Sequence, residues 1–332
     1  MRRSLVGALF LLIAANATYS QLDRNASAQN YVQQWMAHKF SMRIEAGKLT
    51  SKDIPALINK AESGDGRSQV LLGLAFELGQ GIEQNYGTAV RWFRKAAEQG
   101  DPEGKAYLGS AYISGLGVSR NVEEGLRWYH SAAEQGNVGS QMALWGIYGS
   151  GESVPQDKET AVRWLRKAAE QGDPLAESLM GDSYSKGSGV SPDEKEATAW
   201  YRRAAEHGDG AAQETVGKRY FSGFTVPPDH GEALRWFLKA AEQVGNTESQ
   251  FHAGTMLADG DGAPADLIEA YKWLSVVCEF GLNDAFVTKS REALKTLKQK
   301  MSPEQIAEGQ RRVDEWVPIS VTGLSSPADT AH

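Results

Sequence analysis

Six histidines, one cysteine and a recurring cluster of arginine and lysine are the residues in this 332-residue sequence whose types could carry chemistry. A helical metal pair needs two ligands three or four residues apart, so that both reach one ion. His38, His130, His207, His230, His252 and His332 offer no such pair, and none joins a cysteine cluster. Neither a metal site nor any cofactor is therefore expected. His207 replaces glutamine in a line that recurs elsewhere, and reads as a solvated helix-end residue. Cys278 is the lone thiol, so no internal disulfide can form. It aligns with Ala97, Ala133, Ala169, Ala205 and Ala241, a slot for a small apolar group, and is expected to be a buried structural thiol. Arg91, Arg94 and Lys95, with Arg163, Arg166 and Lys167, could form an anion-binding stripe. Each copy carries Glu three residues on, as Lys95 has Glu98, and a solvated, self-paired helix face explains the pattern. No phosphate loop, Gly-x-Gly-x-x-Gly or serine-nucleophile motif is present. No catalytic residue is assigned, and a non-catalytic protein is expected.

These side chains recur because whole lines recur. RWFRKAAEQGD (91–101) returns as RWLRKAAEQGD (163–173), and Trp92, Trp128, Trp164, Trp200, Trp236 and Trp273 follow at intervals of 36 residues, the last at 37. A reaction centre needs its residues once, whereas a stack of structural units needs the same line in every unit. Each unit reads as two helices. In residues 101–136, Asp101 caps a first helix and Pro102 fits its first turn. Leu108 and Tyr112 share a face, Gly115 and Gly117 break the helix, and Asn121 caps a second one that Gly136 ends. The second-helix cap is Asn85, Asn121, Asp157, Asp193, Asp229 or Asp266 in turn. Glu124, Glu196, Glu232 and Glu269, three residues after four of these caps, predict capping boxes.

The first helix carries Gly73, Gly109, Gly181, Gly217 or Gly254 in five of six units. Interior glycine costs a helix about 1 kcal/mol relative to alanine, so a close crossing is predicted there, with paired alanines such as Ala96-Ala97 opposite. A lone hairpin cannot bury its apolar face, but stacked hairpins bury one another's. The fold class that follows is all-α: an α-α superhelix, or solenoid, of about six helical hairpins with capping helices at both ends.

LGSAYISGLGV (108–118) with RWYHSAAEQG (127–136), and MGDSYSKGSGV (180–190) with AWYRRAAEHG (199–208), resemble the Sel1-like repeat, a relative of the tetratricopeptide repeat. The resemblance covers residues 60–281 as six repeats of about 36 residues. It implies an adaptor or scaffold that binds a protein or peptide; exported bacterial members bind envelope or secreted partners. A cysteine-rich branch is linked to β-lactam binding and hydrolysis, so a cell-wall-fragment or β-lactam-binding enzyme or receptor is the alternative. That branch has a cysteine pair in each repeat, which this chain lacks. Residues 21–59 are expected to be an amino-terminal helical cap and 282–316 carboxy-terminal capping helices, with a proline-started capping box at Ser302-Pro303-Glu304-Gln305. Residues 317–332 lack periodicity and are expected to be a disordered tail.

Residues 1–20 read as a signal peptide: Arg2 and Arg3, an apolar run from Leu5 to Ala15, and small residues for cleavage near Ala17 or Ser20. The run is too short for a stable membrane anchor, so a periplasmic or secreted protein is expected. A composition of 41% hydrophobic and 23% charged residues excludes a mainly disordered chain. A formal charge of −7 without a long basic run argues against nucleic acid.

In such arrays the first helices line the concave surface, and their residues beside the packing glycine are free to vary. Those positions are Tyr107 and Ser110, Ala143 and Gly146, Leu179 and Asp182, Thr215 and Lys218, His252 and Thr255. In the third unit Trp145 replaces the glycine itself, either filling a wider gap or offering an aromatic anchor.

Overall fold

A computed structural model of the chain describes residues 41–316, with 244 and 282 excepted. The expected signal peptide, residues 21–40 of the expected cap and the tail 317–332 lie outside the described residues. Among those residues the chain forms sixteen α-helices and no strand. Two short helices, α1 (Ser41–Gly47) and α2 (Ile54–Glu62), come first. Six hairpins follow: α3 (Gly66–Leu78) with α4 (Tyr86–Glu98), α5 (Pro102–Ser114) with α6 (Val122–Glu134), and α7 (Val138–Ser150) with α8 (Lys158–Glu170). Next come α9 (Pro174–Lys186) with α10 (Glu194–Glu206), α11 (Gly210–Ser222) with α12 (His230–Ala241), and α13 (Thr247–Asp259) with α14 (Leu267–Phe280). The helices α15 (Asp284–Lys298) and α16 (Pro303–Asp314) close the series.

The described residues divide into two compact units, 41–176 with 186–191, and 177–185 with 192–316. In the first unit the core runs through Val70, Leu72, Phe93, Ala96 and Leu108, with Trp92 and Trp128 packed on it. A second patch there joins Tyr129, Leu144 and Trp164. In the second unit Tyr201, Val216 and Trp236 form one patch, and Phe237, Met256, Trp273 and Leu274 form another, which Trp316 abuts.

Every expected second-helix cap forms. Asn121 accepts from the Glu124 N–H at 3.1 Å, and Asp229 from the Glu232 N–H at 2.9 Å. The capping boxes expected of the four glutamates do not form, because the N–H they would satisfy is already bonded. Asn121 N–H donates to Tyr112 O at 2.8 Å, and Asp229 N–H to Tyr220 O at 3.0 Å, each tying a second helix to the last turn of its first. Three of these glutamates pair forward along the helix: Glu124 with Arg127, Glu232 with Arg235 and Glu269 with Lys272. The box at Ser302 and Gln305 does form. Asn121→Ala should cost about 1 kcal/mol, read as a lower urea midpoint, while the Tyr112 bond holds the turn in place.

The glycine crossings are real, but their partner is not the alanine pair. A Cβ on Gly73, Gly181 or Gly217 would lie 2.4, 2.6 or 2.9 Å from the ring of Phe93, Tyr201 or Phe237, the residue after each tryptophan. The alanines sit one turn farther along, where the chain enters the next hairpin: a Cβ on Gly104 would lie 2.6 Å from that of Ala96. Ser68, Ser140, Ala176, Ala212 and Ser249 keep that slot small and buried elsewhere.

An amide ladder, buried at its inner glutamines Gln69, Gln141 and Gln213, links successive hairpins within each unit. Gln69, Gln141 and Gln213 donate to the carbonyls of Ala61, Ala133 and Ala205. Gln99, Gln171 and Gln243 then donate to the side-chain oxygens of those glutamines, at 3.2, 2.8 and 3.1 Å. His207 is a solvated helix-end residue, as expected, its side chain half exposed at the C-cap of α10, and it also joins this ladder. Its Nδ1 lies 2.7 Å from a carboxylate oxygen of Glu177, whose side chain is 3% exposed. A Glu–His pair thus stands where other joints use two glutamines.

Candidate interaction surface

All of the expected first-helix residues are half-buried: Tyr107 and Ser110 on α5, Ala143, Trp145 and Gly146 on α7, Leu179 and Asp182 on α9, Thr215 and Lys218 on α11, and His252 and Thr255 on α13. In the first unit, the Tyr107 ring stacks on Phe93 at 5.1 Å. Burial, and then the Glu103 charge, push its phenol well above the usual range. Where five hairpins have glycine facing a residue of the second helix, the third has Trp145, and the matching second-helix position is the fully buried Leu165.

In the second unit Asp182 accepts from the Tyr201 hydroxyl at 2.5 Å, and Thr215 donates to Ala211 O one turn back. Lys218 and His252 meet at one carboxylate. Lys218 Nζ lies 2.7 Å from Glu248 and 2.9 Å from Glu214, and His252 Nε2 lies 3.6 Å from the other oxygen of Glu248. The His252 contact, helped by Lys218 and opposed by burial, holds the Glu248 carboxyl down at about 2. Burial works against the Lys218 ammonium, but Glu214 and Glu248 outweigh it and raise its pKa.

Around this network lies an aromatic cluster that sequence reasoning missed. The His252 ring stacks on Phe237 at 4.9 Å, with Phe251 at 5.6 Å and Phe286 at 6.3 Å. Phe221, 38% exposed, stacks on His230, which pairs with Asp261 at 2.6 Å. The one sequence trace was Phe221 itself, at a register position held elsewhere by Glu77, Ile113, Gly149, Ser185 and Ala258. An exposed ring beside paired charges suits recognition of another polypeptide, which presents both apolar and charged groups.

Two other expectations change. Cys278 is half-buried rather than buried, with the full burial falling on Val277 beside it; burial still pushes its thiol pKa up. Of the basic residues around the tryptophans, Arg202 does pair with the following Glu206, at 3.1 Å, but the lysines three residues after the tryptophans turn to the indoles instead. Lys95 lies over Trp92 at 4.1 Å, Lys167 over Trp164 at 4.3 Å and Lys239 over Trp236 at 4.4 Å. Each ammonium covers an indole face, and under that cover Trp164 and Trp236 are buried while Trp92 is half-buried.

Paired helices of 12 to 14 residues, tied by the same caps and, in five of the six hairpins, by a glycine crossing, define an array of helical hairpins, a scaffold class built for protein interaction. The family follows from six stretches that match the Sel1 repeat, residues 66–101, 102–137, 141–173, 174–209, 210–244 and 247–275; the chain belongs to the Sel1 repeat family. Among solved structures it is similar to c5321, a protective antigen of uropathogenic Escherichia coli strains with an SLR fold, at 27% identity and a TM-score of 0.59. That match covers 91% of this chain, which spans 66% of the antigen. A Sel1 repeat protein from Oxalobacter formigenes is 29% identical with a TM-score of 0.52, over 68% of this chain and 98% of that one. No curated protein matches the chain. No helix among the described residues is long and apolar enough to cross a membrane.

Proposed function

We propose that this chain is an exported, non-catalytic scaffold that binds a protein or peptide on the concave face of its Sel1 array, in envelope signalling or host interaction. The contact positions are Tyr107, Ser110, Trp145, Leu179, Asp182, Thr215, Lys218 and His252. Residues 1–20 would serve as the leader, removed near Ala17 or Ser20, and the mature chain would act in the periplasm or outside the cell. The similarity to a protective antigen supports the exported reading.

One observation carries the proposal. Lys218 and His252 converge on Glu248 beside the exposed ring of Phe221, while the framework residues next to them, Gly217 and Ala253, are buried. Crosslinking in the native host followed by mass spectrometry tests it. The wild-type chain should capture a specific partner, and Lys218→Gln combined with His252→Gln should lower that capture about tenfold, as loss of central contacts does. No specific partner in any growth condition, or equal capture by the variant, would contradict the reading.

A further inference from the structure

In the second unit a groove of about 530 Å³ lies between α10 and the next hairpin. Three cations, Lys195, Arg202 and Arg203, and one carboxylate, Glu206, border it, with apolar walls from Val216, Tyr220 and Val226. Glu206 is already paired with Arg202 at 3.1 Å. Lys195 and Arg203 therefore leave the groove positive on a chain whose formal charge is −7.

The corresponding groove of the first unit, one hairpin earlier in register, is smaller, about 420 Å³, and its Asp157 and Glu159 balance Arg163 and Arg166. Four departures from the repeat coincide at the larger one. Ala199 stands where the other second helices have Arg91, Arg127, Arg163, Arg235 and Lys272, which clears a long side chain from the floor. Lys195 is the sole cation at its register position, held elsewhere by Gly87, Glu123, Glu159, Gly231 and Ile268. Thr225 replaces a turn glycine and is the one non-glycine with positive φ among the described residues, at 69°. Arg219, 8% exposed, fills a slot that is otherwise Ala75, Ala111, Ile147, Ser183 or Met256.

The last two explain the opening. At Gly117, Gly189 and Gly262 the turn presses so closely on the preceding second helix that a Cβ would lie 2.2–2.3 Å from a carbonyl oxygen. Thr225 carries a Cβ and cannot approach in that way. Arg219 takes up the space between, bonding Glu194 Oε2 at 2.8 Å and Thr198 Oγ1 at 2.7 Å, while the Thr225 and Thr198 hydroxyls meet at 2.6 Å. A buried charge and a strained threonine both cost stability, and here they brace one groove wall.

We infer that this groove binds a ligand with one or two carboxylates on a short apolar body, the carboxylates meeting Lys195 and Arg203. None of its lining residues belongs to the first-helix surface proposed above, so the two sites stand or fall separately. The test is two-dimensional NMR of the full chain titrated with N-acetyl-Leu-Glu, with butyrate, and with the neutral N-acetyl-Leu-Gln amide. N-acetyl-Leu-Glu should shift amides grouped within residues 195–226. Its binding should weaken about tenfold in Lys195→Glu, an exposed position whose change leaves the core intact, and weaken further in about 0.5 M salt. Saturation by the dipeptide alone would assign the site to peptide carboxylates, and saturation by butyrate as well to small free carboxylates; both support the inference. Equal binding of the neutral amide, unchanged affinity in Lys195→Glu, or no shifts in that region would overturn it.

Discussion

Gly217→Trp is expected to lower the stability of the array by about 3 kcal/mol or more, because an indole must enter a space already filled. A single Cβ there would lie 2.9 Å from two ring carbons of Phe237. That ring is fully buried and backed by His252 at 4.9 Å, so it has nowhere to move. The third hairpin shows how the same chain accommodates tryptophan in this slot: Trp145 goes with Leu165 instead of an aromatic partner. Gly217→Trp combined with Phe237→Leu should therefore recover about half of the loss. Urea unfolding followed by far-ultraviolet circular dichroism reads both effects. A single variant with an unchanged midpoint would show that the crossing is looser than these distances imply. A double variant no better than the single would show that Trp145 is not accommodated by the smaller residue.

Trp273→Ala should cost about 4 kcal/mol, the scale for emptying a tryptophan-sized site in a packed core. Trp273 is fully buried, meets Trp316 edge-on at 5.9 Å and lies under the Lys272 ammonium at 4.1 Å. Its indole N–H has no hydrogen-bond partner. That makes the chemistry of the loss separable from its volume. Trp273→Phe removes an unsatisfied donor along with part of the ring, two effects of opposite sign, and should stay within about 1 kcal/mol of wild type. If the phenylalanine variant fell as far as the alanine one, shape would matter more than burial. If the alanine variant were tolerated, the last hairpin would not share its core with the closing helices.

The carboxylate that Lys218 and His252 share shows how far the candidate site was legible. Lys218 and His252 were identifiable as positions beside a packing glycine, since helical periodicity decides which residues flank it. Their meeting through Glu248 was not, because Glu248 lies 30 residues from Lys218 and belongs to the next hairpin. The rings of Phe221, Phe251 and Phe286 were missed for the same reason. The groove beside Ala199 was recorded in the sequence only as scattered departures from register, and their coincidence in space was needed to give them a meaning.

What the sequence determined alone was everything that acts within a turn or two of helix: the six caps, the left-handed glycines, the pairing of helices into hairpins, and the closing box at Ser302. A cap and its N–H are three residues apart, so identity and spacing suffice. The tertiary structure decided each matter in which distant groups compete for one partner. Tyr112 O claimed the N–H that Glu124 would have taken, Trp92 claimed Lys95 from Glu98, and Glu177 drew His207 into the amide ladder. Such contests are settled by which group arrives within bonding distance when hairpins stack, and residue types along the chain do not encode that distance.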